Sequence, residues 1–262
     1  MTQSISDLVR YLDNLFPRSL AEGWDNTGLL VGDANRRADN VMTCLTLTGA
    51  TLREAVREHA NIIVTHHPFP FHAVKQITNE TVTGRLLLEL VEHQIAIYSP
   101  HTSHDSAANG INQQWAELLK LTNVRPLIPQ TDDETIGTGR IGTLTEPVSI
   151  ITIVHFIKNK MRLDTCQYVG TPTNKVLRVA VTCGAADELV EQAKKQNAEL
   201  LIMGEARFHT CLEAEADNLS LIIPGHYASE RFALEYLAER IKMENKVNAW
   251  ASKDERNPIR TR

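Results

Sequence analysis

Short apolar runs alternate with helical patterns along most of this chain. In the helical patterns, apolar side chains recur three and four positions apart. This alternation predicts β-α units whose largely parallel strands are buried on both faces. The predicted strands are Val41–Leu47, Ile62–Thr65, Ile95–Tyr98, Leu177–Thr182, Leu200–Met203 and Leu219–Ile223. The predicted helices are residues 4–15, Leu52–His59, Gly84–His93, Ile111–Leu121, Ala186–Gln196 and Ser229–Met243.

Local signals refine this outline at a few places. Ser4 and Asp7 have the spacing of a capping box, which predicts the start of the first helix. The segment Gln130–Arg140 is polar and turn-rich, so we expect a linker or an exposed loop there. Residues 140–170 are expected to add strands and one helix. The chain after Lys246 is charged, and we expect it to be frayed.

An internal repeat is the most informative pattern in the sequence. Residues 52–67 and 188–205 each pass from an amphipathic helix into a short apolar strand. Residues 95–105 and 219–230 each pass from a strand into a histidine that is followed four positions later by an acid. Chance similarity between two β-α units is common, but the matched histidine–acid pairs favour a duplicated α/β half.

The repeat also suggests how the chain divides. We expect a first α/β lobe over residues 1–125, with part of residues 226–250 packing on it. A second α/β lobe is expected over residues 126–225, followed by a charged tail at 251–262.

Composition and charge exclude several classes of protein. The chain has 262 residues, of which 42% are hydrophobic and 23% charged, as in ordinary globular proteins. A net charge of −5 argues against a nucleic-acid binder, which usually carries a basic surface. The four cysteines form no CxxC pair, so we expect reduced thiols in a cytoplasmic protein. The N-terminal residues lack a long apolar core, and no membrane-spanning run occurs, so neither a signal peptide nor a membrane contact is expected.

Histidines and acids follow the predicted strands at the positions where α/β sheets bind ligands. Those sheets bind ligands beyond the carboxyl ends of their strands. Neutral imidazole and carboxylate suit divalent zinc, iron, manganese, cobalt or nickel. Two metals bridged by a carboxylate would use all of these residues, and either acid can be the bridge. The residues concerned are His66, His67, His101, Asp105, His226 and Glu230.

Each feature also has an ordinary interpretation. A paired His66-His67 is more often part of a loop or a satisfied polar pair, and a histidine four residues before an acid is more often a helix-surface ion pair. All three features occur at strand ends, however, so together they favour a metal site. His104 and His209 lie near these positions and are expected either to contact substrate or to have no special role.

The motifs resemble those of the Nif-three-like family of dinuclear-metal proteins, often labelled GTP cyclohydrolase type-two homologs. The matching segments, in the order of the family, are WDNTGLLVGD (24–33), THHPF (65–69), HTSHDSAANGIN (101–112), MGEARFH (203–209) and GHYASE (225–230). The resemblance implies two similar, intertwined α/β lobes in three layers, with a two-metal site in the cleft between them. It also implies a ring-shaped homohexamer with two divalent ions per chain, most simply zinc, iron or manganese.

The resemblance assigns roles to individual residues. It implies one metal held by His67 and Asp105, a second held by His66 and His226, and Glu230 bridging both. His101 matches a nearby position that need not ligate and that serves either as a supporting group behind the ligands or as an acid or base. Residues beside the metals or the substrate are then expected to be Asp25, Asn26, His104, Glu205 and His209.

Two features depart from the family pattern. His104 falls inside the first histidine–acid motif, where an uncharged residue is expected, so extra ligation or altered specificity is possible. The chain also lacks the long inserted domain of larger members.

Two classes of function fit these residues. The first is a metal-dependent hydrolase acting on a nucleotide or phosphoester, with GTP cyclohydrolase chemistry implied by the family label alone. The second is a non-enzymatic protein that holds or delivers metal, or that serves as an interaction ring. An open coordination position would indicate the enzyme.

Overall fold

The computed structural model describes residues 3–130 and 133–260, which form an α/β protein as predicted. Its α-helices are α1 (Ile5–Leu15), α2 (Gly49–Arg57), α3 (Val82–Glu92), α4 (His101–Ser106), α5 (Ile111–Leu118), α6 (Ile150–Met161), α7 (Val190–Lys195), α8 (Phe208–Ala216) and α9 (His226–Asn245). Its strands are β1 (Gly28–Val31), β2 (Asn40–Cys44), β3 (Ile62–Thr65), β4 (Ala96–Ser99), β5 (Thr122–Arg125), β6 (Ile128–Gln130), β7 (Asp133–Thr138), β8 (Arg140–Ser149), β9 (Gln167–Val169), β10 (Lys175–Val181), β11 (Leu200–Ile202), β12 (Ser220–Ile223) and β13 (Asn248–Ala251). In the part of the chain described here, none of the helices is long and apolar enough to cross a membrane.

The chain divides into two compact units that are both discontinuous in sequence. The first unit comprises Met1–His104 and Ala233–Pro258. The second unit comprises Asp105–Phe232 and Ile259–Arg262. Each unit has its own sheet and its own hydrophobic core, as expected for chain segments of this length.

The sheet of the first unit has the strand order β1-β4-β3-β2-β13. Strands β13, β2, β3 and β4 are parallel, and β1 pairs antiparallel with β4. Every residue of β3 and β4 is buried, which explains their unbroken apolar sequences. Helix α1 begins with the predicted capping box, since Ser4 and Asp7 bond reciprocally.

The sheet of the second unit has the strand order β5-β8-β10-β11-β12-β9. Its central strands β10, β11 and β12 are parallel, but β5, β8 and β9 run antiparallel to their neighbours. In this second sheet, the expectation of largely parallel strands therefore holds only for the central strands. The antiparallel strands are less buried than the central ones, which agrees with their less apolar sequences.

The two repeated segments form matching elements, one set in each unit. Helix α2 leads into β3, and helix α7 leads into β11. The next parallel strands, β4 and β12, are each followed by a helix whose first residue is a histidine, His101 in one case and His226 in the other. This correspondence agrees with internal duplication, which stays a prediction.

Two local expectations were wrong. The segment 130–140 is not a linker, because β7 pairs antiparallel with β6 and β8 begins at Arg140; Thr131 and Asp132 lie outside the described residues. The segment 247–255 is not frayed. It forms β13, and the carboxylate of Glu54 accepts hydrogen bonds from the hydroxyl of Ser252 and the backbone N–H of Lys253.

Candidate metal centre and its surroundings

Three histidines of the first unit come together at the carboxyl ends of two neighbouring strands. His66 and His67 follow β3 directly, and His101 begins α4 just after β4. Each of the three offers one ring nitrogen, and these nitrogens all lie within 4.8 Å of one another. His66 is buried, whereas His67 and His101 are half-buried. Three imidazoles at this separation can share a divalent ion.

Backbone pairing that continues past the strand end positions the two adjacent histidines. The N–H of His66 donates to the carbonyl of Cys44 at 3.0 Å, and the N–H of His67 donates to the carbonyl of Leu45 at 2.9 Å. Neighbouring side chains of an extended strand point to opposite sides, but past the end of β3 the rings of His66 and His67 lie close together. Their ring planes are inclined by 51° and their centroids are 5.2 Å apart.

Two hydroxyl groups support these histidines. The hydroxyl of Ser99, at the end of β4, donates to the carbonyl of His66 at 2.6 Å. The hydroxyl of Thr46 lies 2.7 Å from Nδ1 of His67. Partners of this kind fix the orientation of a histidine ring, and ligating histidines commonly have one.

A buried carboxylate holds His101. Oδ1 of Asp25 lies 2.7 Å from Nδ1 of His101, so the ring donates its Nδ1–H to the carboxylate. The backbone N–H and the hydroxyl of Thr102 donate to the other oxygen. Burial alone would raise the pKa of Asp25, but the hydrogen bonds from His101 and Thr102 outweigh it and hold the pKa below its ordinary value.

The backbone of His101 adopts a positive φ, which is uncommon for residues other than glycine. Its φ is +35°, in the left-handed region that side chains with a Cβ seldom enter. Strained backbone of this kind occurs preferentially at functional sites, where the surrounding contacts enforce it. The strain and the bond to Asp25 together indicate that the position of the His101 ring is imposed by the fold.

The second unit carries a histidine between two carboxylates. Nε2 of His226 lies 3.1 Å from Oε2 of Glu230, one turn further along α9. Nδ1 of His226 lies 3.2 Å from Oε1 of Glu205, which is exposed. The hydrogen bond to Glu230 raises the pKa of His226 to about 9, against the opposing effect of burial. Glu230 is buried, so this pair has the donor chemistry of a metal site.

Asp105 has a thiol and an amide as neighbours. Sγ of Cys183 lies 3.0 Å from Oδ1 of Asp105, and the thiol donates because a carboxylate can only accept. Burial, with the charges of Asp105 and Glu230, raises the pKa of Cys183 well above its ordinary value. The amide of Asn112 joins both residues, since its Nδ2 donates to the carbonyl of Asp105 and its Oδ1 accepts from the N–H of Cys183.

A buried arginine fixes the chain that follows Asp105. The guanidinium of Arg140 is 1% exposed and donates to the carbonyls of Ser106 and Ala107. It also donates to the carbonyls of Gly137 and Gly139 and to the side-chain amide of Gln113. Burial lowers the pKa of Arg140 to about 10.

Gly184 leaves room for the carboxylate of Glu230. Its φ is +61°, and a Cβ built at this position would overlap Oε1 of Glu230. The N–H of Gly184 donates to the hydroxyl of Ser229, which in turn donates to the carbonyl of His226. A glycine is therefore required here both by the backbone conformation and by the space that the acid occupies.

The remaining predicted site residues have varied surroundings. His104 is buried, with its ring 4.2 Å from that of Phe16 and 5.9 Å from that of His66, measured between centroids. Nδ2 of Asn26 donates to a backbone carbonyl, that of Pro70. His209 is exposed on α8, and its ring lies near that of Phe208. It belongs neither to the three histidines of the first unit nor to the histidine–glutamate pair of the second unit.

Sequence reasoning missed three supporting residues. Cys183 was assigned no role beyond that of a buried thiol, although it follows the end of β10 as the histidines follow their strands. That position was the available signal. Asn112 ends the segment 101–112 that resembles the family, although its bond to Cys183 joins residues far apart in the sequence. Thr46 gave no comparable signal, because its contact also depends on a residue far away in the sequence.

Together the fold and these residues define a class: an α/β protein with histidine and carboxylate groups, suited to divalent metal, at the carboxyl ends of its parallel strands. The profile of the family described as "Duf34/NIF3 (NGG1p interacting factor 3)" matches residues 3–258. The chain belongs to this family.

Individual relatives agree with the family assignment, and a solved structure agrees with the fold. A Clostridium perfringens protein named "GTP cyclohydrolase 1 type 2 homolog" is 28% identical over 257 residues, covering 97% of this chain and 98% of its own. A Drosophila melanogaster protein named "NIF3-like protein 1" is 28% identical, covering 87% of this chain and 78% of its own. A Bacillus cereus structure titled as a protein related to NIF3 has a TM-score of 0.91 and 20% identity, and the match covers 100% of both chains.

Proposed function

We propose that this protein is a metal-dependent hydrolase that binds two divalent ions through His66, His67, Asp105, His226 and Glu230. The observation that carries the proposal is that His66 and His67, two of the proposed ligands, bring their ring nitrogens within 4.8 Å of each other and of a ring nitrogen of His101, the proposed acid or base. The paired His226 and Glu230 of the second unit support it, because imidazole with carboxylate is a common donor set for zinc, iron or manganese.

The residues present fit such ions. Thr46 orients the ring of His67, and Cys183 and Asn112 hold the side chain and backbone of Asp105. These neighbours are of the kind that surrounds metal ligands in proteins. When bound, divalent ions supply an activated water near neutral pH and polarise a phosphoryl or carbonyl oxygen.

His101 is proposed to handle the proton of the reaction. Asp25 accepts the Nδ1–H of the ring, so the ring orientation is fixed and proton transfer is directed to Nε2. The low pKa of Asp25 keeps this carboxylate ionised, so it also stabilises the ring when His101 carries a second proton. Of the predicted site residues, His101 is therefore the one best suited to act as general acid or base.

The substrate class follows from chemistry and from the names of relatives. The name "GTP cyclohydrolase 1 type 2 homolog" suggests a guanine nucleotide, whose purine ring would be opened by water. A phosphoester is hydrolysed by the same kind of donor set. The proposed substrate is therefore a nucleotide or a related phosphoester.

The first experiment is elemental analysis of the purified protein and of two variants. We expect close to two divalent ions per chain in the wild type and almost none in Glu230→Ala, because a bridging carboxylate serves both ions. The matched control is Glu239→Ala, which removes an exposed acid from the same helix. The control is expected to keep the wild-type metal content.

Each outcome has a defined meaning. A full metal content in Glu230→Ala would contradict the bridging role, and an absence of metal in reconstituted wild type would refute the metal centre. The metal-loaded protein is then tested for release of phosphate or ring-opened product from nucleotides. Two bound ions without turnover would favour the alternative of a protein that stores or delivers metal. The homohexamer stays a prediction, which the sedimentation-equilibrium mass tests.

A further inference from the structure

An exposed pair of aromatic side chains lies beside His101 in the first unit. The side chain of Trp24 is 64% exposed, and that of Phe71 is 46% exposed. Their ring centroids are 6.2 Å apart, and each lies about the same distance from the ring of His101, at 5.9 and 6.1 Å. A single exposed aromatic side chain is ordinary, but two exposed aromatic rings next to each other form contiguous apolar surface, which often marks a binding site.

Hydrogen bonds hold the segment that carries Trp24 firmly in place. The carboxylate of Asp25 is bonded to His101 and to Thr102. On the other side, Nδ2 of Asn26 donates to the carbonyl of Pro70 at 2.9 Å, next to Phe71. The polar residues of this segment are therefore engaged with the protein, whereas its aromatic residue faces water. Rigid aromatic groups pay little entropy on binding, so such a surface suits a ligand.

We propose that Trp24 and Phe71 form a stacking platform for a nucleobase, with His101 at its edge. The proposal deepens the proposed function and rests on it for the placement of the reacting part of the ligand near the histidines. Stacking on aromatic side chains accepts any base, because each base has a π-face. The platform thus supplies recognition of the planar ring, which the metal ligands cannot provide.

The geometry also says how the base is bound. A ring inserted between two others needs about 7 Å between them, since stacked carbon atoms approach to about 3.5 Å. Trp24 and Phe71 are closer than this and are inclined by 48°. The base therefore stacks on one open face while the second ring contacts its edge, an arrangement that aromatic groups favour.

Fluorescence of the intact protein tests the platform directly. Trp115 is fully buried and Trp250 is half-buried, so of the three tryptophans Trp24 is the most accessible to a ligand. We expect guanosine 5′-monophosphate to quench the emission saturably and ribose 5-phosphate, which lacks the base, to leave it unchanged. The titration is done with metal-loaded and with metal-free protein.

Variants measured by isothermal titration calorimetry give the second readout. Trp24→Ala and Phe71→Ala are each expected to weaken binding of guanosine 5′-monophosphate on the order of 5- to 150-fold, the range found for loss of one stacked base contact. Trp24→Phe keeps an aromatic face and is expected to restore most of the affinity. Tyr236→Ala, which removes another exposed aromatic group, is the control and is expected to bind like wild type.

Unchanged affinity in both alanine variants, or no saturable binding by wild type, would overturn the proposal. A changed sedimentation mass in these variants, without nucleotide binding in wild type, would instead identify the pair as a contact between chains and would equally overturn it. Metal analysis of the same samples separates the two hypotheses. If the wild-type protein holds two metals but does not bind the base, the stacking platform is refuted and the proposed hydrolase is not. If it binds the base but holds no metal, the proposed hydrolase is refuted and the platform is not.

Discussion

Replacing Gly184 with alanine is expected to weaken metal binding by more than it weakens the fold. The added Cβ would overlap Oε1 of Glu230, so the carboxylate must move from its present position. Glu230 is 3% exposed and lies 3.1 Å from His226, so the space into which it can move is limited. The substitution thus displaces a proposed metal ligand without removing any donor atom.

The size of the effect has two parts. A side chain with a Cβ at a φ of +61° costs about 1–2 kcal/mol of unfolding free energy, whatever surrounds it. Displacement of a ligand by a neighbouring change typically weakens metal affinity about 10- to 100-fold. In free energy the second part is about 1.4–2.8 kcal/mol, and it acts on the bound state alone.

A matched glycine separates the two parts. Gly139 has a φ of +63°, and a Cβ there would meet Cβ of Leu127 at 3.1 Å rather than a proposed ligand. Zinc affinity of each variant is measured by competition with a chelator, and stability of the metal-free proteins by urea denaturation. Both variants are expected to lose similar stability, and Gly184→Ala alone is expected to lose affinity.

One result would refute this reasoning. If Gly184→Ala bound zinc with wild-type affinity while losing as much stability as Gly139→Ala, the position of Glu230 would not matter to the metal. Glu230 would then be a structural acid that pairs with His226, and the bridging assignment would be wrong.

Other residues give predictions that do not depend on metal. Arg140→Met removes a guanidinium that donates to five acceptors and is expected to cost about 3 kcal/mol or more in urea denaturation; a loss below about 1 kcal/mol would contradict its clamping role. Glu54→Gln weakens the bonds to the C-terminal segment and is expected to cost about 1–2 kcal/mol, and protection of that segment in hydrogen exchange is expected to fall with it. Burial and the hydrogen bond to Glu244 raise the pKa of Tyr11 to about 12, so the stability it contributes is complete below about pH 10 and is lost as pH rises toward 12. Wild type should therefore lose stability more steeply than Tyr11→Phe in that window, and parallel curves would contradict this assignment.

The sequence predicted the candidate site best where the site residues directly follow a strand. His66, His67 and His101 follow short buried strands, so their approach to one another follows from parallel pairing alone. The strand boundaries were clear because each strand is a compact apolar run between polar residues. A local sequence pattern is sufficient to predict a site residue when that residue lies next to the strand that positions it.

The sequence was least informative where contacts join distant residues. Strand β13 pairs in parallel with β2, more than two hundred residues earlier, and its four residues are too few to indicate a strand by themselves. The hairpin of β6 and β7 is mostly exposed, so its polar residues resemble those of a loop. The bond between Cys183 and Asp105 likewise depends on a tertiary contact, which no local periodicity reveals.

The discontinuity of the first unit has a consequence for how the protein is made. Its residues 233–258 leave the ribosome after the continuous stretch 105–232 of the second unit. Most of the second unit is therefore synthesised before the first unit is complete, which differs from the usual order in which N-terminal domains fold first during synthesis. Until β13 emerges, β2 is an open edge of the first sheet, and open edges pair readily with other chains. The nascent first unit is therefore exposed to aggregation until strand β13 has emerged.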